Sequence, residues 1–216
     1  MNINSKKIYR GIEFFLLFFG VPTLISASAL IVHPGIVLLP VLGALVIYFW
    51  RKNDFSFKSL VRLQVSKTMI RNNIIMVFLV GLFLIAFVLI VEANNLFNLP
   101  RKNAKIWLML GIFYPPLSAY PQEIIYRTFL YTRYAPLFKS RWYLILASAV
   151  TFSFAHIVYY NPVSMVLTFF AGLYLAYIYE KTKSVLFTTI LHSIYGMLVF
   201  TLGLGHYFWL NMEQYL

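Results

Sequence analysis

The sequence predicts an all-α protein, a polytopic membrane helix bundle with about seven transmembrane helices. Of its 216 residues, 61% are hydrophobic and only 11% are charged, whereas soluble domains carry about 25% charged residues. Runs of about 20 apolar residues, the length that crosses a bilayer as a helix, recur along the chain. We interpret residues 1–216 as a single membrane domain, because no stretch is left for a separate soluble domain.

Seven spans follow in order. The first, residues 11–32, is interpreted as a retained helix, because it lacks a small-residue cleavage site and another apolar run follows at once. The other six lie at about 36–50, 74–91, 105–137, 142–160, 162–179 and 185–204. Turn signals at residues 33–35 and 161–162 separate two pairs of spans. Pro115 and Pro116 predict a break in the fourth span, because proline removes a helical hydrogen bond and clashes with the preceding turn.

The net charge of +12 comes from bases that cluster in the loops, which is the pattern of cytoplasmic loops in membrane proteins. With the N-terminus in the cytoplasm, most of these clusters fall on the cytoplasmic side. We therefore expect the lipid bilayer as a partner and no nucleic acid. The polar stretch 51–73 mixes bases with apolar residues, which favours an interfacial helix on the anionic inner leaflet. The chain has no cysteine, which excludes disulfides and thiolate chemistry.

Ionisable groups inside spans are costly and are functional candidates by default. Glu13 and Glu92 lie near span ends, and His33 and His206 lie in or near turns, so we assign them no functional role. The four that remain are Glu123, Arg127, His156 and His192. Glu123 and Arg127 share a helix face at i, i+4 spacing, which also suits a purely structural ion pair.

One glutamate and two histidines on three helices can converge in a bundle. A carboxylate can take a proton from water, and a histidine can orient that water or protonate a leaving group. A second histidine with a nearby amide can stabilise an oxyanion. Zinc is the rival, since two histidines and a carboxylate match a catalytic zinc shell. The chain lacks an H-E-x-x-H motif, so we expect no metal or other cofactor.

Three short motifs resemble those of the CPBP intramembrane proteases, also called the Abi or type II CAAX prenyl protease family, which includes Rce1-like enzymes. The family pattern is E-E-x-x-x-R, F-x-x-x-H and H-x-x-x-N on three helices. Here "QEIIYR", residues 122–127, lies over the first, "FSFAH" from Phe152 to His156 matches the second, and "HSIYG", residues 192–196, lies over the third. The resemblance covers residues 105–200, which we take as the motif-bearing core of a divergent member.

The resemblance implies a helical bundle with an active site inside the membrane, open to the cytoplasm. The first glutamate and the F-x-x-x-H histidine would activate water, and the last histidine and its asparagine would hold the oxyanion. It implies an intramembrane endopeptidase acting on membrane-associated, prenylated or leader peptides. We predict an integral protein of a bacterial or archaeal plasma membrane.

The sequence departs from this pattern at Gln122, where the family has its first glutamate, and at Gly196, where it has asparagine. Neighbouring helical residues point about 100° apart, so Glu123 does not replace Gln122 in direction and is interpreted as the partner of Arg127. Two interpretations stay open. Either Glu123 supplies the base of a variant protease, after a helix kink at Pro121, or the chain is a catalytically silent relative that binds membrane partners as a scaffold or immunity protein. A proton-relay transporter is less favoured, because no inverted repeat is visible.

Overall fold

The computed structural model describes residues 3–28, 34–53 and 55–209, and these residues contain helices and no strand. His33 and most of the C-terminal tail, which the sequence suggests is interfacial, lie outside the described residues. We number seven main helices. They are α1 (residues 3–27), α2 (Pro34–Trp50), α3 (Lys67–Val91), α4 (residues 104–134), α5 (Arg141–Phe154, extended by a 3-10 turn, Ala155–Tyr159), α6 (Pro162–Thr182) and α7 (Val185–Leu202).

The predicted all-α polytopic bundle is confirmed. Within the described ranges, five helices are long and apolar enough to cross a membrane, namely α1, α3, extended α5, α6 and α7. The helix α2 is shorter, with 17 residues, and prolines and charged residues interrupt the apolar sequence of α4. Helices suit this environment because they satisfy every backbone polar group internally where no water is present.

The break predicted at Pro115 and Pro116 is wrong, because the chain remains helical from residue 104 to 134. Both prolines lie in a π-helical turn, Pro115–Ala119, in which the amide of Tyr120 donates to the carbonyl of Pro115, five residues earlier. A π turn leaves a gap in the regular ladder of hydrogen bonds. Proline fits such a gap, because it has no N–H to donate. A second π turn, Ile124–Phe129, follows shortly afterwards.

The stretch 51–73, predicted to be an interfacial helix, contains one short helix, Lys58–Val61, then extended chain, and its last residues, 67–73, form the first turns of α3. The loop is instead tied to the bundle. The hydroxyl of Ser184 donates to the carbonyl of Arg62 at 2.6 Å, and Leu60 is buried. A hydrogen bond from Ser184, the residue before α7, and the buried side chain of Leu60 therefore hold this loop against the bundle, where the sequence suggests a lipid-bound helix.

Helix α4 forms the centre of the bundle. Almost every residue from Ala119 to Tyr131 is buried, including Glu123 and Arg127 at 0% exposure, and this stretch contacts α2, α5 and α7. The helices α5 and α6 pack closely at Gly172, where a Cβ would lie 3.1 Å from the Cα of Ala149. This close packing fixes the start of the turn that carries His156. The polar side chains of α4 are thus enclosed by three other helices.

A short 3-10 helix, Gly205–Phe208, follows α7 and is held by polar contacts to the end of α3. Tyr207 donates a hydrogen bond to Glu92, Asn95 donates to the same carboxylate at 2.6 Å, and His206 Nε2 lies 3.3 Å from it. Phe208, the next residue, packs against the ring of His156 with ring centres 6.0 Å apart. We call this cluster of Glu92, Asn95, His206 and Tyr207 the Glu92 latch.

The Glu92 latch predicts an acid-sensitive contact. Burial by itself would raise the pKa of Glu92, but the hydrogen bonds from Tyr207 and Asn95 and the nearby His206 hold that pKa below its usual value of 4.5. A lowered carboxyl pKa stabilises the folded state above the unfolded pKa, and this stabilisation is lost as the pH falls through the folded pKa. We therefore expect backbone hydrogen exchange at residues 205–208, corrected for its intrinsic rate, to accelerate below about pH 4.5.

At pH 7 the Glu92→Gln variant should already show this faster exchange, with little further change on acidification. Glu180→Gln is the matched control, because Glu180 pairs with Lys183 at 2.7 Å and not with the latch. Equal exchange at residues 205–208 in parent and Glu92→Gln across this pH range would contradict the latch.

Candidate active site

A buried ion pair lies at the centre of the site. The Glu123 carboxylate oxygen Oε2 is 3.3 Å from Nε of Arg127, and both side chains are fully buried. The pair follows the predicted i, i+4 spacing. Two buried charges of opposite sign offset part of the desolvation that each would otherwise suffer.

Arg127 has further partners on α5. Its Nη1 donates to Oγ of Ser148 at 2.7 Å, and that hydroxyl donates to the carbonyl of Tyr126, also at 2.7 Å. The guanidinium carbon lies 5.3 Å from the ring centre of Phe152, within range of a cation–π interaction. Arg127 therefore links α4 to α5 while it balances the charge of Glu123.

The other carboxylate oxygen of Glu123 contacts His192 on α7. Nδ1 of His192 lies 2.9 Å from Oε1 of Glu123, and because a carboxylate only accepts, the proton lies on Nδ1. In the neutral imidazole, Nε2 then carries a lone pair, so it can accept a proton. A carboxylate on Nδ1 also fixes the orientation of the ring.

His156 has the same tautomer for a different reason. Its Nδ1 lies 2.8 Å from the carbonyl oxygen of Phe152, four residues earlier, so Nδ1 donates and Nε2 accepts. The Phe152 ring packs edge-on against both imidazoles, with ring centres 5.0 Å from His156 and 5.3 Å from His192. The two histidines therefore contact the same phenylalanine ring.

Both histidines line one internal cavity of about 90 Å³, room for about three water molecules. Its polar wall also includes Ser118 and Gln122, and the Gln122 amide donates to the Ser118 hydroxyl at 2.8 Å. Glu123 is absent from this wall and reaches the cavity only through His192. Pro121 does not turn the Glu123 carboxylate towards the cavity, so Gln122 and Glu123 point in different directions, as helical spacing predicts.

Gly196 also lines the cavity. The side chain of Tyr114 on α4 occupies the space in which a side chain at position 196 would lie. An ideal Cβ at position 196 would lie 2.5 Å from both the hydroxyl oxygen and Cε1 of Tyr114. Tyr114 was missed in the sequence, because nothing in its local pattern relates it to position 196. Only the packing of α4 on α7 brings the two together.

The remaining candidates have partners outside the cavity. Glu13 binds Arg133 at 2.6 Å and accepts from Tyr134 at 2.8 Å, which explains a carboxylate at that depth in α1. His206 belongs to the Glu92 latch. In the ranges that the structure describes, no group of three His, Asp or Glu side chains could hold a metal ion.

One region of the chain matches a known protein family. Residues 103–198 match the model of the family described as type II CAAX prenyl endopeptidase Rce1-like. No curated protein and no solved structure matches the chain. The matched region contains Gln122, Glu123, Arg127, His156 and His192.

We predict that Arg127→Leu destabilises the fold by about 3–5 kcal/mol, because it leaves the buried Glu123 carboxylate without its counter-charge. Thermal unfolding in detergent, followed by circular dichroism, measures the loss. Arg141→Leu is the control, since Arg141 is 67% exposed and its contact with Glu180 is 3.6 Å long. Exposed pairs contribute about 0–1 kcal/mol. If Arg127→Leu unfolds at the parent temperature, the pair does not stabilise the bundle.

Proposed function

We propose that this chain is an intramembrane endopeptidase that uses an activated water, and the match of residues 103–198 to the model of the type II CAAX prenyl endopeptidase Rce1-like family supports the proposal. The observation that carries the proposal is that Glu123 is ion-paired with Arg127 and accepts a hydrogen bond from Nδ1 of His192, which leaves Nε2 of His192 beside the cavity. The substrates would be membrane-associated, prenylated or leader peptides.

In this mechanism His192 is the general base. Nε2 takes one proton from a cavity water as the water oxygen attacks the peptide carbonyl carbon. The imidazolium that forms is stabilised by Glu123, whose charge is already present and needs no rearrangement. When the C–N bond breaks, the same nitrogen returns the proton to the leaving amine. Glu123 is then a positioning residue and not the base itself.

His156 would assist from the 3-10 turn that extends α5, since it lines the same cavity as His192. With Nδ1 held by the Phe152 carbonyl, its Nε2 can accept a hydrogen bond from the attacking water and orient it. Arg127 keeps Glu123 ionised by its positive charge. Glu123, Arg127, His156 and His192 therefore each have a distinct role in this mechanism. Gln122 does not have to accept a proton in it.

A second candidate function rests on Gln122 alone. Gln122 faces the cavity where the resembled pattern has a glutamate, and its amide is bonded to Ser118. If that carboxylate were indispensable, the chain would be a silent relative that binds membrane partners. The two functions differ in whether the unchanged protein cleaves a peptide bond.

We expect the purified protein, reconstituted in lipid nanodiscs, to cleave peptides from a panel of prenylated C-terminal and leader-type substrates, detected by mass spectrometry. His192→Ala and Glu123→Gln should each lower kcat, His192→Ala by about 100- to 10,000-fold, since that is the usual contribution of general-base catalysis. Glu13→Gln is the matched carboxylate control, because Glu13 pairs with Arg133 away from the cavity.

An inactive parent that gains cleavage on Gln122→Glu would support the silent relative and contradict the protease. A parent that cleaves well and is unaffected by His192→Ala would refute the proposed mechanism. Circular dichroism on every variant separates lost chemistry from lost folding.

A further inference from the structure

Tyr114 brings an uncommitted hydroxyl to the cavity. The residue lines the cavity wall, and its ring meets that of His192 edge-on, with ring centres 6.0 Å apart. Across the residues that the structure describes, its hydroxyl has no hydrogen-bond partner. Tyr114 is half-buried, and its hydroxyl is not among the fully buried atoms that lack a partner, so it can donate a hydrogen bond to a group that enters the cavity.

Gly196 creates the space for this hydroxyl. The three atoms of Tyr114 closest to a Cβ at position 196 are Cε1, Oη and Cζ, at 2.5, 2.5 and 2.6 Å. The phenol end of the side chain, and not its aliphatic stem, thus occupies the volume. Position 196 is one helical turn beyond His192 on α7, so it shares that residue's face. The hydroxyl is held next to the general base of the proposed mechanism.

Most other donors of the cavity wall are already used. Nδ1 of His156 donates to a backbone carbonyl, Nδ1 of His192 donates to Glu123, and the Gln122 amide donates to Ser118. The hydroxyl of Tyr195, another residue of the wall, also has no hydrogen-bond partner among the described residues, but it is fully buried and presents no surface to the cavity. Attack of water on a peptide carbonyl creates an oxyanion, which requires a donor fixed in advance.

We propose that the Tyr114 hydroxyl donates the hydrogen bond that stabilises this oxyanion, which makes Tyr114 a catalytic residue supplied by α4. This inference rests on the proposed endopeptidase function and deepens it. The hydroxyl keeps its proton throughout, so the step adds one hydrogen bond and transfers no atom. A glycine at position 196 is required, because any side chain there would displace the phenol.

The first test removes the hydroxyl and keeps the ring. Tyr114→Phe should lower kcat by about 100- to 1,000-fold, the usual effect of losing one oxyanion donor, with little change in KM. Tyr174→Phe is the matched control, since its hydroxyl bonds Asn73 at 2.9 Å and the residue does not line the cavity. Tyr159 is another tyrosine of the cavity wall. If Tyr159→Phe lowers kcat and Tyr114→Phe does not, the donor is a different tyrosine and the inference is overturned.

The second test exchanges the sizes of the side chains at positions 114 and 196. Gly196→Ala should lower kcat and the melting temperature together, because its Cβ overlaps the phenol. Tyr114→Ala combined with Gly196→Asn places an amide donor in the vacated volume, so it should recover at least about tenfold in kcat over Tyr114→Ala alone. Failure of this rescue, with both variants folded, would contradict a role as donor.

The outcomes separate this inference from the function on which it depends. An active parent with unchanged kcat in Tyr114→Phe overturns the role of Tyr114 and leaves the endopeptidase intact. A parent without any cleavage overturns both. A fall in kcat with rescue by the exchanged pair supports both.

Discussion

The buried ion pair of Glu123 and Arg127 is the constraint from which the rest of the core follows. A charge at 0% exposure inside a bundle needs its counter-charge and enough hydrogen-bond partners, or the fold loses several kcal/mol. Arg127 donates a hydrogen bond to Ser148 on α5, and Glu123 accepts a hydrogen bond from His192 on α7. Three helices are therefore held at fixed positions by polar contacts, although apolar packing alone would allow them to slide.

The same pair also determines the chemistry that the site can offer. Because both oxygens of Glu123 are used, one by Arg127 and one by His192, the carboxylate acts through an imidazole. The nitrogen that can accept a proton at the cavity is then Nε2 of His192. The neighbouring Gln122 faces the cavity as a neutral amide bonded to Ser118. Gln122 therefore faces the cavity, whereas its neighbour Glu123 faces Arg127 and His192 on a different side of α4.

The sequence predicted those parts of the molecule that depend on composition or local spacing. Apolar runs predict the helices, i, i+4 spacing predicts the Glu123–Arg127 contact, and mid-span polarity selects His156 and His192. The helix break predicted at Pro115 and Pro116 is wrong, because tertiary packing decides whether a proline breaks a helix or is accommodated in a π turn. Tyr114 could not be found for a related reason. Tyr114 is recognised only by its contact with Gly196 on another helix, and a glycine there produces no pattern in the sequence around Tyr114.

The overlap between a Cβ at position 196 and the Tyr114 phenol couples the residues that the two positions can carry. A chain that carries both a large residue at position 196 and tyrosine at position 114 cannot pack α4 on α7 in this way. The side-chain volume that fits at one position therefore depends on the residue at the other, so a change at either position alone alters the contact between two helices.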